Sequence, residues 1–200
     1  GTIGVSARDL EPSLWKRVQE ALPDASVFDA SDAFDEIRMI KTAEEILRLR
    51  GAVAGVERGH AAVRESLTEG MTALELAAIV NRAVIDEYTD RYIVHVSVGA
   101  RGSVVLAPTE VELKRGELVS VDAGSLHRNY AGDMFRVYAF GEQPGDGLQV
   151  HAAMDEVNDL MIAAERAGKN GAELQAIEDA WTAQAGLKLF NDAVVDTINS

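Results

Sequence analysis

An internal repeat at a spacing of 98 residues (168 − 70) constrains the fold of this chain more than any other feature of its sequence. The segments Gly70-Met-Thr-Ala-Leu-Glu-Leu-Ala-Ala-Ile79 and Gly168-Lys-Asn-Gly-Ala-Glu-Leu-Gln-Ala-Ile177 agree at five of ten positions. The order of elements repeats as well, because each segment follows a long helical pattern and precedes an apolar run, at 92–99 and 190–197. The sequence therefore predicts an α/β (α+β) protein with one full helix–helix–strands unit and a second, incomplete unit.

Apolar residues that recur at steps of three and four predict the helices. The longest spans residues 42–67, with Thr42 and Glu45 as a capping box at its start. Its apolar stripe comprises Ile46, Leu49, Val53, Val56, His60, Val63 and Leu67. A second helix begins at Thr72 and runs to about Tyr88. The other predicted elements are a helix over 12–22, strands over 26–29 and 92–99, and helices over about 148–166 and 170–185.

Two aspartates, Asp122 and Asp133, carry most of the chemistry that the sequence indicates. Residues 117–123 are predicted as a strand that is broken at Gly124, and 133–140 as a second strand after a polar loop. Two antiparallel strands joined in this way can hold both carboxylates on one face, and divalent cations need paired carboxylates. The alternative is that both aspartates are turn residues, since aspartate beside glycine is common in turns.

Composition excludes several classes of function. The 200 residues suffice for one domain with a sizeable core, and a net charge of −14 argues against nucleic-acid binding because the chain would repel phosphates. No run approaches the ~18 apolar residues of a transmembrane helix, and no signal peptide is visible, so no membrane partner is expected. Because cysteine is absent, disulfides and thiolate metal sites are excluded, and a cytoplasmic location is expected.

Three segments, in the same order, resemble the creatinase, prolidase and aminopeptidase P family. Arg38-Met-Ile-Lys41-Thr-Ala-Glu-Glu-Ile46 is similar to the start of that family's catalytic domain, and Gly70-Met-Thr-Ala-Leu-Glu-Leu76 to its second-helix signature. Arg115-Gly116-Glu-Leu-Val-Ser-Val-Asp122-Ala-Gly124, with Tyr130-Ala-Gly-Asp133-Met-Phe-Arg136, resembles its first metal-binding segment. The resemblance implies the pita-bread fold, a pseudo-twofold arrangement with a curved antiparallel sheet backed by helices.

The same resemblance implies a division of the chain and a metal site. Residues 1–40 would be the end of an N-terminal domain plus a linker, and residues 41–200 an incomplete catalytic-type domain. Asp122 would chelate one divalent ion through both oxygens and Asp133 would bridge two ions, usually manganese, cobalt or zinc. The implied chemistry is hydrolysis of an amide bond, usually next to proline, by water that two cations roughly 3.5–4 Å apart activate.

Part of the family's site is missing from this sequence. The family completes its ligand set with a histidine and two glutamates from the second half, and none of those motifs is present. The stretch Val104-Val-Leu-Ala-Pro-Thr109 also lacks the histidine that the family's hydrolases often place before this turn. Because two carboxylates alone bind a divalent cation weakly, the chain by itself is expected to be inactive.

Four histidines and one arginine are the remaining candidates. His60 lies on the apolar stripe and is predicted to be hydrogen-bonded in the core. His95 could be a third ligand, or could support the site from the substrate side, if its strand turns it toward the aspartates. His127 is expected in a solvated loop, and His151 at a helix start without a partner. Arg136 follows the second aspartate by three positions, so it is expected on the opposite face, as support for the site or simply exposed.

The function predicted first is that of a metal-dependent hydrolase resembling Xaa-Pro peptidases, with a small peptide or amide as substrate. A creatinase-like amidinohydrolase stays open, since the family's substrates include creatine. A non-catalytic protein- or ligand-binding module on the same scaffold also stays open, because the later ligands are absent while both aspartates are retained. A strand near 190–198 without a pairing partner would leave an open sheet edge, so a homo-oligomer or a partner chain is expected.

Overall fold

A computed structural model describes residues 1–8, 10–99, 102, 104–142 and 147–185 of the protein. Within these ranges no helix has the length and apolarity that crossing a membrane requires. The strand and open sheet edge predicted near 190–198 lie outside the described residues.

The described part of the chain is a mixed α/β structure of helices and strands. In order, the elements are β1 Thr2–Val5, α1 Pro12–Ala21, β2 Ser26–Asp29, α2 Ser31–Met39, α3 Ala43–Ser66, α4 Ala73–Val84, β3 Thr89–Gly99, β4 Glu117–His127, β5 Tyr130–Phe140, α5 Gly147–Ala164 and α6 Gly171–Ala185. The chain packs as two compact units, Gly1–Leu113 with Val119–Tyr138, and Lys114–Leu118 with the residues from Ala139 onward. The domain boundary at residue 40 stays a prediction.

The first forty residues form a small parallel pair of strands. Thr2–Val5 pairs with Ser26–Asp29, and α1 connects the two. Ser31 is the one described residue of this region that is buried, as expected for a segment too short to form a core. The helix from Pro12 and the strand over 26–29 match the sequence predictions, whereas β1 and α2 were missed. Short, exposed elements carry little periodic signal, which explains the omission.

Helix α3 begins as the sequence predicts, but only Val56, His60 and Val63 of its predicted stripe are buried. Thr42 Oγ1 accepts from the Glu45 N–H at 3.3 Å, and Glu45 Oε2 accepts from the Thr42 N–H at 2.7 Å, which completes the capping box. Ile46 and Val53 of the predicted stripe are 43% and 39% exposed. The buried residues of α3 are Ala52, Gly55, Val56, Gly59, His60 and Val63.

Glycines form part of the buried face of α3, because they let neighbouring elements approach its backbone. A Cβ on Gly55 would lie 2.8 Å from Thr89 Cγ2 in β3, and a Cβ on Gly59 would lie 3.0 Å from Val84 Cγ2 in α4. The close contacts therefore fall on small residues. A pattern that scores only large apolar side chains cannot find such a face.

Helix α4 starts after Thr72, as predicted, with a Thr72–Glu75 capping box, but it ends earlier than expected. Its last residue is Val84, rather than a residue near Tyr88. Asp86 Oδ1 accepts hydrogen bonds from the N–H groups of Tyr88 and Thr89, each at 2.8 Å. This side-chain competition for backbone donors turns the chain out of the helix and into β3.

Strands β3, β4 and β5 form a sheet in that order. Arg128 and Asn129 alone join β4 to β5, and their φ angles of 49° and 68° are those of a two-residue hairpin turn. The predicted break at Gly124 and the predicted long loop are therefore wrong. A Cβ at Gly124 would lie 2.9 Å from Ile93 Cγ2, so this glycine permits a close strand contact and does not end the strand.

Helices α3 and α4 supply the core that backs this sheet. Ser125 Oγ of β4 donates to the Ala52 carbonyl of α3 at 2.7 Å, and a Cβ on Gly132 of β5 would lie 2.8 Å from the Ala52 carbonyl carbon. Strand residues that face these helices are consequently buried. The fully buried side chains include Leu76, Val56, Val63, Val80, Val84, Val96, Val119 and Val121.

The described part of the second unit repeats local features of the first. Gly168 has a φ of 92°, as Gly70 has a φ of 87°. The Glu173 N–H donates to Asn170 Oδ1 at 3.0 Å and the Asn170 N–H donates to Glu173 Oε2 at 3.1 Å, which is again a capping box. Helix α6 begins 98 residues after α4 (171 − 73). The sequence repeat is thus present in the local geometry.

Candidate metal site

Both aspartates of the predicted site lie inside strands. Asp122 is in β4 and Asp133 in β5, while the turn between those strands is made by Arg128 and Asn129. The alternative interpretation, in which the aspartates serve as turn residues, is therefore wrong. Their side chains are presented by rigid backbone on two adjacent strands.

The two aspartates share the face of the sheet that points away from helix α3. Ser125 faces α3, because its Oγ bonds to Ala52 O, and Gly132 also lies against Ala52. Side chains alternate along a strand. Asp122 precedes Ser125 by three positions and Asp133 follows Gly132 by one, so both point to the opposite face.

The hairpin register also sets the spacing of the carboxylates. A two-residue turn places His127 opposite Tyr130. Counting back from that pair puts Gly124 opposite Asp133, so Asp122 and Asp133 are diagonal neighbours. Such neighbours lie about 7–8 Å apart at the backbone, so their side chains can reach toward a common point between them.

His95 of β3 extends the site on the Asp122 side. Its Nδ1 lies 3.3 Å from Asp122 Oδ2, and the two side chains are 29% and 19% exposed. The sequence allowed His95 a role at the site if its strand turned it toward the aspartates, and its ring does face Asp122. Within the described ranges the ring has no other polar contact, and the exposed Asp133 carboxylate has no hydrogen bond or ion pair.

Arg136 lies on the other face of the sheet from the aspartates, as its spacing predicts. Its Nη1 donates to the Phe135 carbonyl at 2.8 Å. It lines an open, polar pocket of about 460 Å³ beside α3, together with Glu57, Arg64 and Tyr138 among others. The structure therefore separates Arg136 from Asp122, whereas it brings His95 and Asp122 together.

His60 is a buried, hydrogen-bonded histidine, as predicted. Its Nε2 donates to the Met134 carbonyl at 3.0 Å, so its Nδ1 accepts the hydroxyl proton of Tyr138 at 2.9 Å. Burial lowers the pKa of His60, because it disfavours the charged ring more than the Met134 carbonyl favours it. Burial also raises the pKa of Tyr138. The pair is a neutral structural contact on the helix side of the sheet.

The other two histidines depart from their predicted surroundings. His127 is not in a loop: it ends β4, and its Nδ1 lies 2.7 Å from Thr89 Oγ1. A Cβ on Gly51 would lie 2.5 Å from this ring, so His127 packs against the backbone of α3. His151 does have a partner, since its Nδ1 lies 3.2 Å from Asp155 Oδ2 one helical turn later.

A cavity of about 380 Å³, lined mainly by apolar groups, runs along β3. Ser97 lies in its wall, with Leu106, Ala107 and Thr109 from the segment before β4. Ser97 Oγ is buried and has no hydrogen-bond partner among the described residues. The cavity therefore offers mainly apolar contacts, and Ser97 lies in its wall two positions along the strand from His95.

The donor set matches part of a metal site. Carboxylates suit hard divalent cations, and an imidazole suits borderline ones. In the described residues no three histidine, aspartate or glutamate side chains are gathered closely enough to hold an ion. Asp122, Asp133 and His95 thus share a face of the sheet, and the described residues do not by themselves gather them into a complete set of metal ligands.

Comparison with solved structures identifies the fold class as pita-bread. An X-Pro aminopeptidase from Thermotoga maritima superposes with a TM-score of 0.83 at 24% identity, over 92% of this chain and 53% of that one. A family model, Metallopeptidase family M24, matches residues 48–195. The chain belongs to this family.

Two curated relatives agree with that assignment. A probable dipeptidase PepE of Mycobacterium tuberculosis is 31% identical over 161 residues, which is 79% of this chain and 43% of the relative. An Xaa-Pro dipeptidase of Lactobacillus helveticus is 27% identical over 183 residues, which is 88% of this chain and 49% of the relative. The chain thus spans about half the length of the curated relatives that it matches.

Proposed function

We propose that the intact protein is a metal-dependent hydrolase of the Xaa-Pro dipeptidase type. The observation that carries the proposal is the pair of carboxylates, Asp122 and Asp133, on one open face of a helix-backed sheet in a member of metallopeptidase family M24. The relatives named as dipeptidases suggest a small peptide as substrate. A member of the family could have the same fold without the acidic metal ligands. This chain retains both aspartates, which favours the hydrolase.

Each aspartate has a distinct role in this proposal. Asp122, in the central strand beside His95, would chelate one cation with both oxygens, and Asp133 would bridge it to a second. Two bound divalent cations, manganese, cobalt or zinc, would supply a water of lowered pKa and polarise the scissile carbonyl. The strands fix the positions of the carboxylates, and the cavity beside Ser97 would offer apolar contact to the substrate.

The 200-residue chain alone is proposed to bind a cation weakly and to be inactive as a hydrolase. Two carboxylates and one imidazole leave each ion of a dinuclear pair short of ligands. A cytoplasmic location and a homo-oligomeric state are proposed as well. The absence of cysteine suits a reducing compartment.

Hydrolysis of an Xaa-Pro dipeptide by the intact protein tests the proposal. We expect Asp133→Asn to reduce kcat/KM by at least about 10³-fold, because a bridging ligand fixes both cations. Asp159→Asn is the matched control, since it removes one equal charge from an exposed position on α5 and should leave the rate unchanged. Calorimetric titration with Mn²⁺ should show the same ranking of the variants. Full activity in Asp133→Asn would refute the proposal.

A non-catalytic binding module is the second candidate. It is favoured by the absence of a three-ligand cluster among the described residues. An intact protein that binds neither Mn²⁺ nor Co²⁺ in calorimetry would support the module. An intact protein that binds metal but cleaves creatine in preference to Xaa-Pro dipeptides would instead support the amidinohydrolase alternative.

A further inference from the structure

His95 of β3 lies beside Asp122 of β4. It projects from β3 toward the central strand β4, where its Nδ1 lies 3.3 Å from Asp122 Oδ2. Both side chains are part-buried on the face that also carries Asp133. His60, by contrast, is buried and hydrogen-bonded at both ring nitrogens.

The separation of these two atoms matches neighbouring ligands of one ion. Nitrogen and oxygen ligands lie about 2.1 Å from Zn²⁺ and similar ions. At angles of about 90–109° between them, two such ligand atoms are roughly 3.0–3.4 Å apart. The observed 3.3 Å falls in that range, so one cation can contact both atoms with little movement of either side chain.

The surroundings leave both groups available for an ion. Within the described residues the His95 ring has no polar partner apart from Asp122, and Asp122 has none apart from His95. No lysine or arginine among those residues forms an ion pair with Asp122 or Asp133. A part-buried carboxylate such as that of Asp122, without a lysine or arginine beside it, favours a cation.

We propose that His95 is a nitrogen ligand of the cation bound at Asp122. The inference rests on the proposed function, because it takes Asp122 as a metal ligand. Imidazole suits Zn²⁺, Co²⁺ and Ni²⁺ better than it suits Mn²⁺ or Mg²⁺, which prefer oxygen. With His95 as a ligand, the cation site at Asp122 has a higher affinity for borderline ions such as Zn²⁺ and Co²⁺, relative to Mn²⁺ and Mg²⁺, than it has without it.

The chain itself permits a clean test, because its other histidines are elsewhere. His60 and His127 lie on the helix side of the sheet, against Met134 O and Gly51. His151 pairs with Asp155 on α5, and His151→Gln removes that separate pair from the test. In this parent variant, a histidine nitrogen that is bound to a cation at the aspartates must therefore belong to His95.

The experiment uses the 200-residue chain carrying His151→Gln, with Mn²⁺ and Co²⁺ as probes. Pulsed electron paramagnetic resonance of bound Mn²⁺ should show coupling to a directly bound ¹⁴N, and His95→Gln should abolish it. Calorimetry should show that His95→Gln lowers the ratio of Co²⁺ to Mn²⁺ affinity by about 10-fold or more. Thermal melts establish that the variants fold. If His95→Gln does not fold, the ¹⁵N chemical shifts of the His95 ring in the parent variant are measured before and after addition of Zn²⁺. Unchanged shifts refute the inference.

The outcomes separate this inference from the proposed function. Loss of binding in Asp122→Asn and Asp133→Asn, with no ¹⁴N coupling in the parent, overturns the role of His95 and leaves the aspartates as ligands. Binding that persists unchanged in both aspartate variants overturns the proposed metal site itself. ¹⁴N coupling that survives in His95→Gln overturns the inference. A 200-residue chain that binds no cation overturns the role of His95, and calorimetry of the intact protein with Mn²⁺ then decides the proposed function separately.

Discussion

At the scale of residues, four histidines show how surroundings decide chemistry. His60 is neutral and bonded at both nitrogens, whereas His95 faces a carboxylate on the open side of the sheet. His127 packs on a helix backbone, and His151 pairs with an exposed aspartate. Side-chain type alone could not rank them, because three of the four roles depend on a partner distant in sequence.

Burial of His60 makes the stability of the protein depend on pH near neutrality. Its pKa is lowered in the folded state, chiefly by burial, whereas the unfolded chain has a value of about 6.5. As pH falls below that value the unfolded state binds the proton first, so the free energy of unfolding decreases. The contribution is fully present above about pH 6.5 and is lost as pH falls toward the folded pKa.

Urea unfolding at pH 7.5 and pH 5.5 measures this dependence. His60→Gln should show a smaller change between the two pH values than the parent protein. It should also cost about 1–3 kcal/mol at pH 7.5, because the Tyr138 hydroxyl and the Met134 carbonyl lose a partner. Asn158→Gln, an uncharged change at an exposed position on α5, is the control and should keep the parent's pH dependence. Equal pH dependence in His60→Gln and the parent would contradict the assignment.

At the scale of elements, α3 is positioned by glycine as much as by apolar side chains. Gly51, Gly55 and Gly59 recur every fourth residue, and each meets a neighbour from another element at close range. The sheet can therefore lie directly on the helix backbone. This close approach fixes which face of β4 and β5 points inward, and thus which face presents the aspartates.

Replacing Gly55 by alanine should destabilise the protein in spite of alanine's higher helix propensity. The propensity gain is about 1 kcal/mol, but the new Cβ would meet Thr89 Cγ2 at 2.8 Å. Thr89 is held in place by His127, so it cannot easily move aside. We expect a net loss of about 1–2 kcal/mol in urea unfolding. Gly171→Ala, with open space around its Cβ, should be neutral or slightly stabilising, and a stabilising Gly55→Ala would disprove tight packing here.

At the scale of the whole molecule, exposed apolar surface favours association. Ile37, Met39 and Ile40 are 75%, 70% and 83% exposed in one short segment. Apolar surface concentrated in this way is typical of contact sites. The sheet edge predicted near 190–198 is a second reason to expect association, and it stays a prediction.

Sedimentation velocity over a range of concentrations tests self-association. The 200-residue chain should form dimers or larger species as concentration rises. Ile40→Lys should weaken that association if the segment around it contributes, while Ile162→Lys, at an exposed position on α5, serves as control. A concentration-independent monomer would contradict the expectation of a homo-oligomer.

The sequence by itself determined the features that depend on a few neighbouring residues. Capping boxes at Thr42 and Thr72 follow from one side chain and the next turn of backbone, and the 98-residue repeat and the family resemblance rest on short segments. These local signals were enough to predict the starts of α3 and α4 and the fold class. Boundaries such as the Arg128–Asn129 turn were missed, because a left-handed backbone at an arginine has no distinctive sequence signal.

Only the tertiary structure decided which face each residue occupies and what it touches. Close contacts brought Gly55 and Gly59 into the buried face of α3 beside part of its apolar stripe, and the hairpin register placed both aspartates on one side. The meeting of His95 with Asp122 spans 27 residues of chain. Such contacts depend on how distant elements pack, since burial and close approach are properties of the assembled core and not of any short segment.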